Sequence, residues 1–201
     1  MEPVILETAR LVLRPFTAAD IDAVFRACQD PEIQRFVPIP VPYTRESART
    51  YVQQLCPAGW RQGTALNLGS FSRDSGALVS SMGLQQGGDR PPGVVELGFW
   101  TAPEHRGRGY TVEAADAMCR WAFAELGAQR MEWLALVGNE GSRAVAAKLG
   151  FTVEGTLRSR LDHRGVLKDG WIGSLLRSEL PAPEQASSEQ AWSGQPSSEQ
   201  A

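Results

Sequence analysis

The sequence predicts an α/β fold, a mixed β-sheet with helices packed against it, in the element order βααβββαβαββ. Three observations lead there. Short runs in which apolar and polar residues alternate recur along the chain, as in "ARLVLRPF" and "VVELGFWT", and alternation marks half-buried strands. Between such runs stand stretches with helical apolar spacing, two of them closed by a glycine, Gly127 and Gly150. The chain has 201 residues, 42% hydrophobic and 21% charged, enough for one domain with a substantial core.

The first strand is "ARLVLRPF", with Leu11 and Leu13 set against Arg10 and Arg14. Thr17-Ala18-Ala19-Asp20 is an acidic variant of the capping box and opens a helix to about residue 30. "FVPIPVPYT" (residues 36–44) reads as loop, since each proline lacks a donor and disfavours helix in the residue before it. Thr44 then caps a second helix to about residue 55. "ALNLGSF" and "GALVSSMGL" are strands joined by Asp74-Ser75-Gly76, and "VVELGFWT" (residues 94–101) follows the turn "GGDRPPG". Val112, Ala115, Cys119, Ala122 and Leu126 lie on one face of the next helix. "RMEWLALV" is a strand, Asn139 caps a helix over residues 140–149, and "FTVEGTLRSRL" with "LKDGWIGSLLRSEL" forms a terminal hairpin.

Residues 1–180 are expected to form the single domain. The tail over residues 181–201 repeats SSEQA, is rich in Ser, Gln, Pro and Glu, and holds Trp192 as its one large apolar residue. Such a composition cannot bury enough surface to offset its ordering entropy, so disorder is expected. Three of the 23 acidic residues, Glu184, Glu189 and Glu199, lie in that tail, which has no Lys or Arg. The rest of the chain is therefore in balance with its 20 basic residues, and nucleic-acid binding by general charge is not expected. No run of eighteen apolar residues offers a membrane span, and the N-terminus does not read as a signal peptide. Cys28, Cys56 and Cys119 are widely spaced, odd in number and without a CxxC. Neither a disulfide framework nor a zinc site is expected, and a reducing cytoplasmic setting fits best.

Arg106-Gly107-Arg108-Gly109 stands directly before a helix. Free N–H groups and the helix dipole favour an anion there, glycines let backbone approach a phosphate, and arginines add charge-assisted donors. A dinucleotide fingerprint needs a third glycine where Val112 stands, and no acidic residue ends the following strand, which closes on Gly138-Asn139. A Walker A loop needs Gly-Lys-Ser/Thr, a tripeptide this chain lacks.

The surroundings narrow the choice. The loop Arg106-Gly107-Arg108-Gly109-Tyr110-Thr111 follows a strand reading Glu-x-Gly-Phe-Trp, and "NEGSRAVAAKLGF" (residues 139–151) comes later. Together they resemble the coenzyme A motifs of the GCN5-related N-acetyltransferases (GNAT superfamily). The start "ETARLVLRPFTAAD" and the ending "GSLLRSEL" are similar to the RimJ/RimL-type branch, which modifies protein N-termini and other amines. The resemblance covers roughly residues 6–180, and the family fold has the element order read above. Two positions depart from the family pattern. Thr111 stands where Gly or Ala is usual; it still supplies its backbone N–H, and its hydroxyl is a candidate for a phosphate contact. Ala146 stands where many members carry a tyrosine that protonates the leaving thiolate.

The resemblance implies attack of an amine on the thioester of acetyl-CoA, with no metal. The amine must lose a proton, the developing oxyanion needs a donor, and the departing thiolate needs a proton or hydrogen bond. Glu96 is the candidate base; alternation puts it with Gly98 on one face of its strand, opposite Leu97 and Phe99. Phe99, Trp100 and Thr101 are implied to pair with the pantetheine arm through their backbone, and residues 106–111 to cradle the pyrophosphate. Asn139 and Ser142 share a helix face near its start. Asn139 is a candidate for the pantetheine arm and Ser142 a candidate donor to sulfur; both also suit plain capping. His105 and His163 stand alone, without carboxylate or cysteine at metal spacing. Trp60, Trp100, Trp121, Trp133 and Trp171 read as core, with Trp171 the one considered for an acceptor pocket. In related proteins the terminal hairpin and the loop at residues 36–43 flank the acceptor site. The partner is an amine on a protein N-terminus or small molecule, and the state monomer or homodimer. Another acyl donor such as succinyl-CoA, and a weakly catalytic acyl-CoA-binding module with a sensor or scaffold role, remain open.

Overall fold

The described residues, 1–180 in this computed structural model, build one eight-stranded sheet. The tail over residues 181–201, expected to be disordered, lies outside the described residues. In chain order the elements are β1 (Leu6–Glu7), β2 (Leu11–Arg14), α1 (Ile21–Ala27), α2 (Pro31–Phe36), α3 (Arg45–Thr50), α4 (Cys56–Gln62), β3 (Ala65–Ser72), β4 (Leu78–Gln85), β5 (Val94–Thr101), α5 (Tyr110–Glu125), β6 (Arg130–Leu136), α6 (Glu140–Lys148), β7 (Thr152–His163) and β8 (Val166–Leu176). The strands lie in the order β1-β2-β3-β4-β5-β6-β8-β7. The expected mixed sheet and its order are present, with β1 and α2 as additions.

Each addition has a local reason. Strand β1 is two residues long, too short for alternation to register. Helix α2 begins with Pro31, whose fixed φ suits a first helical position, and the Asp30 carboxylate accepts from the Ile33 N–H at 2.9 Å. Asp30, expected near the end of the first helix, is thus the cap of the next one. The second expected helix does not stop near residue 55. It widens into a π-helical turn over Tyr51–Leu55 and continues as α4 to Gly63, whose φ of 68° closes it. Pro57 lies just beyond the wide turn and has no N–H to offer the preceding turn.

Apolar residues gather on both faces of the sheet. On one face Leu11, Leu66, Met82, Leu97, Met131 and Trp133 pack against α5. Ala115, Cys119 and Ala122 face this core as expected, while Val112 and Leu126 sit at its edge and Met118 and Phe123 are buried beside them. On the other face Phe16, Val24, Ile33, Val52, Phe71 and Trp100 form a second core under α1, α2 and α3.

One irregularity positions everything that follows. Strands β5 and β6 are parallel and pair only at Val94↔Arg130, Val95↔Met131 and Glu96↔Glu132. Both then run on, β5 held by β4 as far as Ser80↔Thr101 and β6 by β8 as far as Leu136↔Gly170. The sheet forks after Glu96, and the β5 edge over residues 97–101 faces a gap.

Candidate active site

Beyond the fork, β5 leads through a short turn (Pro103–His105) into the loop before α5. Gly107 and Gly109 adopt φ of 73° and 79°, the left-handed region that glycine enters without strain. Gly109 is the N-cap of α5, a helix of 16 residues. Its carbonyl takes the Glu113 N–H, so the N–H groups before Glu113 have no partner within the helix and face outward with the positive end of the dipole. A cavity of about 400 Å³ opens here, between Thr101, Arg106, Gly107 and Thr111 on one side and Asn139 and Ser142 on the other.

The predicted loop residues divide by role. Arg106 borders the cavity, but its guanidinium is engaged: it binds the Asp30 carboxylate at 2.6 Å and reaches the Thr101 carbonyl at 3.3 Å. Burial pushes the Asp30 carboxyl up, and the bonds from Arg106 and the Ile33 N–H outweigh it, holding the group below the usual carboxylate range. Arg106 thereby ties α2 to the loop rather than standing free for a phosphate. The Arg108 carbonyl accepts from Arg10 at 3.0 Å, and its own side chain is exposed. The Tyr110 ring lies under the Arg10 guanidinium, 4.5 Å from its centroid, while Glu113 accepts from Arg10 and from the Thr8 hydroxyl, each at 2.6 Å. Residues of the β1–β2 hairpin thus brace the loop from outside. The Thr111 hydroxyl is buried and bonded to that of Thr101 at 2.7 Å. That bond engages each hydroxyl once, and Thr111 lines the cavity at the start of α5.

A second cavity of about 640 Å³ lies on the other side of the β5 edge. Its floor is one face of β3, β4 and β5, where cross-strand registers align Gln85 with Glu96, Gly83 with Gly98 and Ser81 with Trp100, and Asn67 with Gly83. Its wall is Tyr51 from the π-turn and residues 36–40. Glu96 and Gly98 share this face, as alternation requires. Glu96 is ion-paired with Arg90 through Oε2. Phe36, Val37, Phe99, Trp100, Asn139 and Ser142 line both cavities, so the two meet at the fork.

At that junction the Asn139 side chain accepts from the Ser142 N–H at 3.1 Å, a helix cap that also borders both spaces. The Ser142 hydroxyl accepts from Trp133 Nε1 at 2.8 Å, which leaves its own hydrogen available to a second partner. Ala146 is buried in the core and borders neither cavity. Trp171, considered for the acceptor pocket, is elsewhere: the Arg143 guanidinium covers its ring at 4.9 Å. The β7–β8 hairpin supplies no lining residue to either cavity, whereas the loop after α2 does. The tryptophans that line the site are Trp100 and Trp133. Tyr51, Asn67, Ser81 and Gln85 were not singled out from the sequence. For Asn67, Ser81 and Gln85 the available signal was polar alternation in "ALNLGSF" and "SSMGLQ", which places them on the Glu96 face once the register is known; Tyr51, in the π-helical turn, had none.

The sequence model of the acetyltransferase (GNAT) domain family matches residues 10–152. The putative ribosomal N-acetyltransferase YdaF of Bacillus subtilis (strain 168) is 35% identical over 134 residues, 66% of this chain and 73% of that protein. The structure of a putative ribosomal-protein-serine acetyltransferase from Vibrio cholerae aligns with a TM-score of 0.79 and 25% identity, covering 88% of this chain and 99% of that one. Mycobacterium smegmatis RimJ in complex with CoA-disulfide shares the fold, with a TM-score of 0.78 and 22% identity over 90% of each chain. With a family match over most of the domain, a forked mixed sheet and a glycine-lined helix start beside the fork, the chain belongs to the GNAT acetyltransferases, acyl-CoA-dependent N-acyltransferases.

Proposed function

We propose that the protein transfers an acetyl group from acetyl-CoA to a primary amine, on a protein N-terminus or a small molecule, by direct attack while both substrates are bound. The observation that carries this reading is the open β5 edge between two cavities that meet at the fork. An extended donor arm can add to that edge as a further strand, through the backbone of Phe99, Trp100 and Thr101. The backbone N–H groups at the start of α5 suit the pyrophosphate. The amine then enters from the larger cavity and meets the thioester at the junction.

In the reaction the nitrogen–carbon bond forms and the carbon–sulfur bond breaks; the ammonium loses a proton and the thiolate gains a donor. Glu96 borders the acceptor cavity, and Arg90 engages only its Oε2, leaving Oε1 to receive the proton directly or through a water. Ser142 borders both cavities with a hydroxyl hydrogen to give, which suits the sulfur. Asn139 holds the Ser142 segment in place and faces the donor arm. A backbone N–H of β5 suits the carbonyl oxygen as it gains charge.

Thiol release from acetyl-CoA across a panel of peptides and small amines tests the reading. Turnover with an amine supports it; tight CoA binding without turnover on any amine overturns it in favour of a binding module. Within an active enzyme, Glu96→Gln is expected to lower kcat by about 10²-fold and to flatten the acidic limb of the pH–rate profile. An unaltered profile removes Glu96 from the role of base.

A further inference from the structure

The floor of the acceptor cavity is bare at one place, Gly98. Glycine inside a strand is disfavoured and calls for a reason. At Gly98 neither backbone nor packing supplies one. Its φ is not in the left-handed region, and a Cβ built there meets nothing within 4 Å. Its cross-strand neighbour is different. At Gly83 a Cβ would strike Asn67 Oδ1 at 2.3 Å, so Gly83 makes room for the Asn67 carboxamide to lie across β4. That carboxamide has no hydrogen-bond partner among the described residues. The open space over Gly98 is thus flanked by Glu96 and Trp100 along β5, ends toward Asn67, and sits at the fork. The charges of the cavity give an independent constraint. Among its lining residues the charged ones are Glu46 and Glu96, with no Lys, Arg or His.

We propose that Gly98 sets specificity for the acceptor: its bare surface seats the first side chain of an α-amino amide, such as a peptide N-terminus, and that side chain is uncharged. This rests on the acetyl-transfer reading above. The ammonium lies toward Glu96. The first side chain takes the volume a Cβ would occupy at position 98. The Asn67 carboxamide bonds the polar group beyond it. Glu46 and Glu96 are already paired with Arg49 and Arg90, so a carboxylate on the acceptor finds no free cation among the lining residues, and a charge taken from water into a partly dry site without a partner is disfavoured.

The test compares peptides beginning with Gly, Ala, Ser, Leu and Asp, with the parent enzyme and with Gly98→Ala and Gly98→Val, each checked for an unaltered melting curve. The parent is expected to use the Asp-initiated peptide at least about tenfold less well than the Ala-initiated one. The variants are expected to lose kcat/KM in a graded way, least for the Gly-initiated peptide and by about tenfold or more for Leu, with the acetyl-CoA KM unmoved. Equal losses on every peptide, a raised acetyl-CoA KM in the variants, or full use of the Asp-initiated peptide overturns the inference while leaving acetyl transfer intact. A parent active on simple amines and idle on every peptide does the same. A parent idle on all amines overturns the acetyl-transfer reading itself, and the inference falls with it.

Discussion

Ser142 does two things with one hydroxyl. Its oxygen accepts from the indole of Trp133, and its hydrogen remains to be given at the junction of the cavities. The Asn139 cap fixes the backbone from which it acts. On the proposed reading, a chain with Ala146 in place of a tyrosine supplies the donor to the departing sulfur from a residue one turn earlier that borders the junction, while position 146 is packed into the core. Ser142→Ala is expected to reduce kcat by about 10²-fold with little change in acetyl-CoA KM, read by steady-state thiol release. Full turnover in that variant assigns protonation of the thiolate to solvent. Ser142 and Asn139 were legible because their spacing announced a shared helix start. Their partner Trp133 was not, since it lies on a strand and meets Ser142 only when β6 and α6 pack.

At the level of elements, close approaches decide what the pattern of residues cannot. Gly59 lies in α4, and a Cβ there would stand 2.2 Å from the Ala65 carbonyl oxygen of β3. Two backbones meet at that point and neither can yield by rotating a side chain. Gly59→Ala is expected to destabilise the fold by about 1–3 kcal/mol, measured as a lowered urea midpoint; an unchanged midpoint means that α4 can shift away. The same kind of contact explains where sequence reading stopped short. The second helix was expected to end near residue 55; instead the turn widens over Tyr51–Leu55 and the helix goes on. That wide turn carries Tyr51, whose hydroxyl shares a 2.8 Å hydrogen bond with Ser81 on the cavity floor. Helix α2, hidden by the prolines around it, is fixed by Asp30, which accepts from Ile33 within the helix and from Arg106 across the site.

Across the whole molecule, the terminal strands are fastened to the central sheet by a charged network. Arg130 of β6 reaches Glu132 at 3.0 Å and Glu154 of β7 at 2.6 Å, and the Ser174 hydroxyl of β8 also donates to Glu154 at 2.7 Å. The Arg130 bond first, and the Ser174 bond after it, hold the Glu154 carboxyl down at about 2. A carboxylate whose folded value is depressed stabilises the protein above its unfolded value and loses that contribution as pH falls toward the folded one. Glu154→Gln is therefore expected to cost stability at neutral pH, about 1 kcal/mol or less because the pair is partly exposed and screened. The gap between parent and variant closes as the pH drops from the ordinary carboxylate range toward about 2. Urea melts at stepped pH read this directly; a gap that persists at low pH places the effect in packing instead of charge.

The sequence by itself determined the layers. Alternation and helical spacing are local, written in residues two or four apart, so the mixed sheet, the element order and the glycine-rich start of α5 could be read from it. So could Glu96 and Gly98 sharing one face. The tertiary structure alone decided how charges and hydroxyls are spent. Arg106 is bound to Asp30 76 residues away in the chain, Thr111 to Thr101 and Glu96 to Arg90; Trp171 lies outside the site that Trp133 enters. It also decided the fork itself. Whether two parallel strands stay paired depends on which outer neighbours hold them, and β4 and β8 draw β5 and β6 apart after three pairs. No periodicity records that divergence, because the residues on either side of it continue the same alternating pattern.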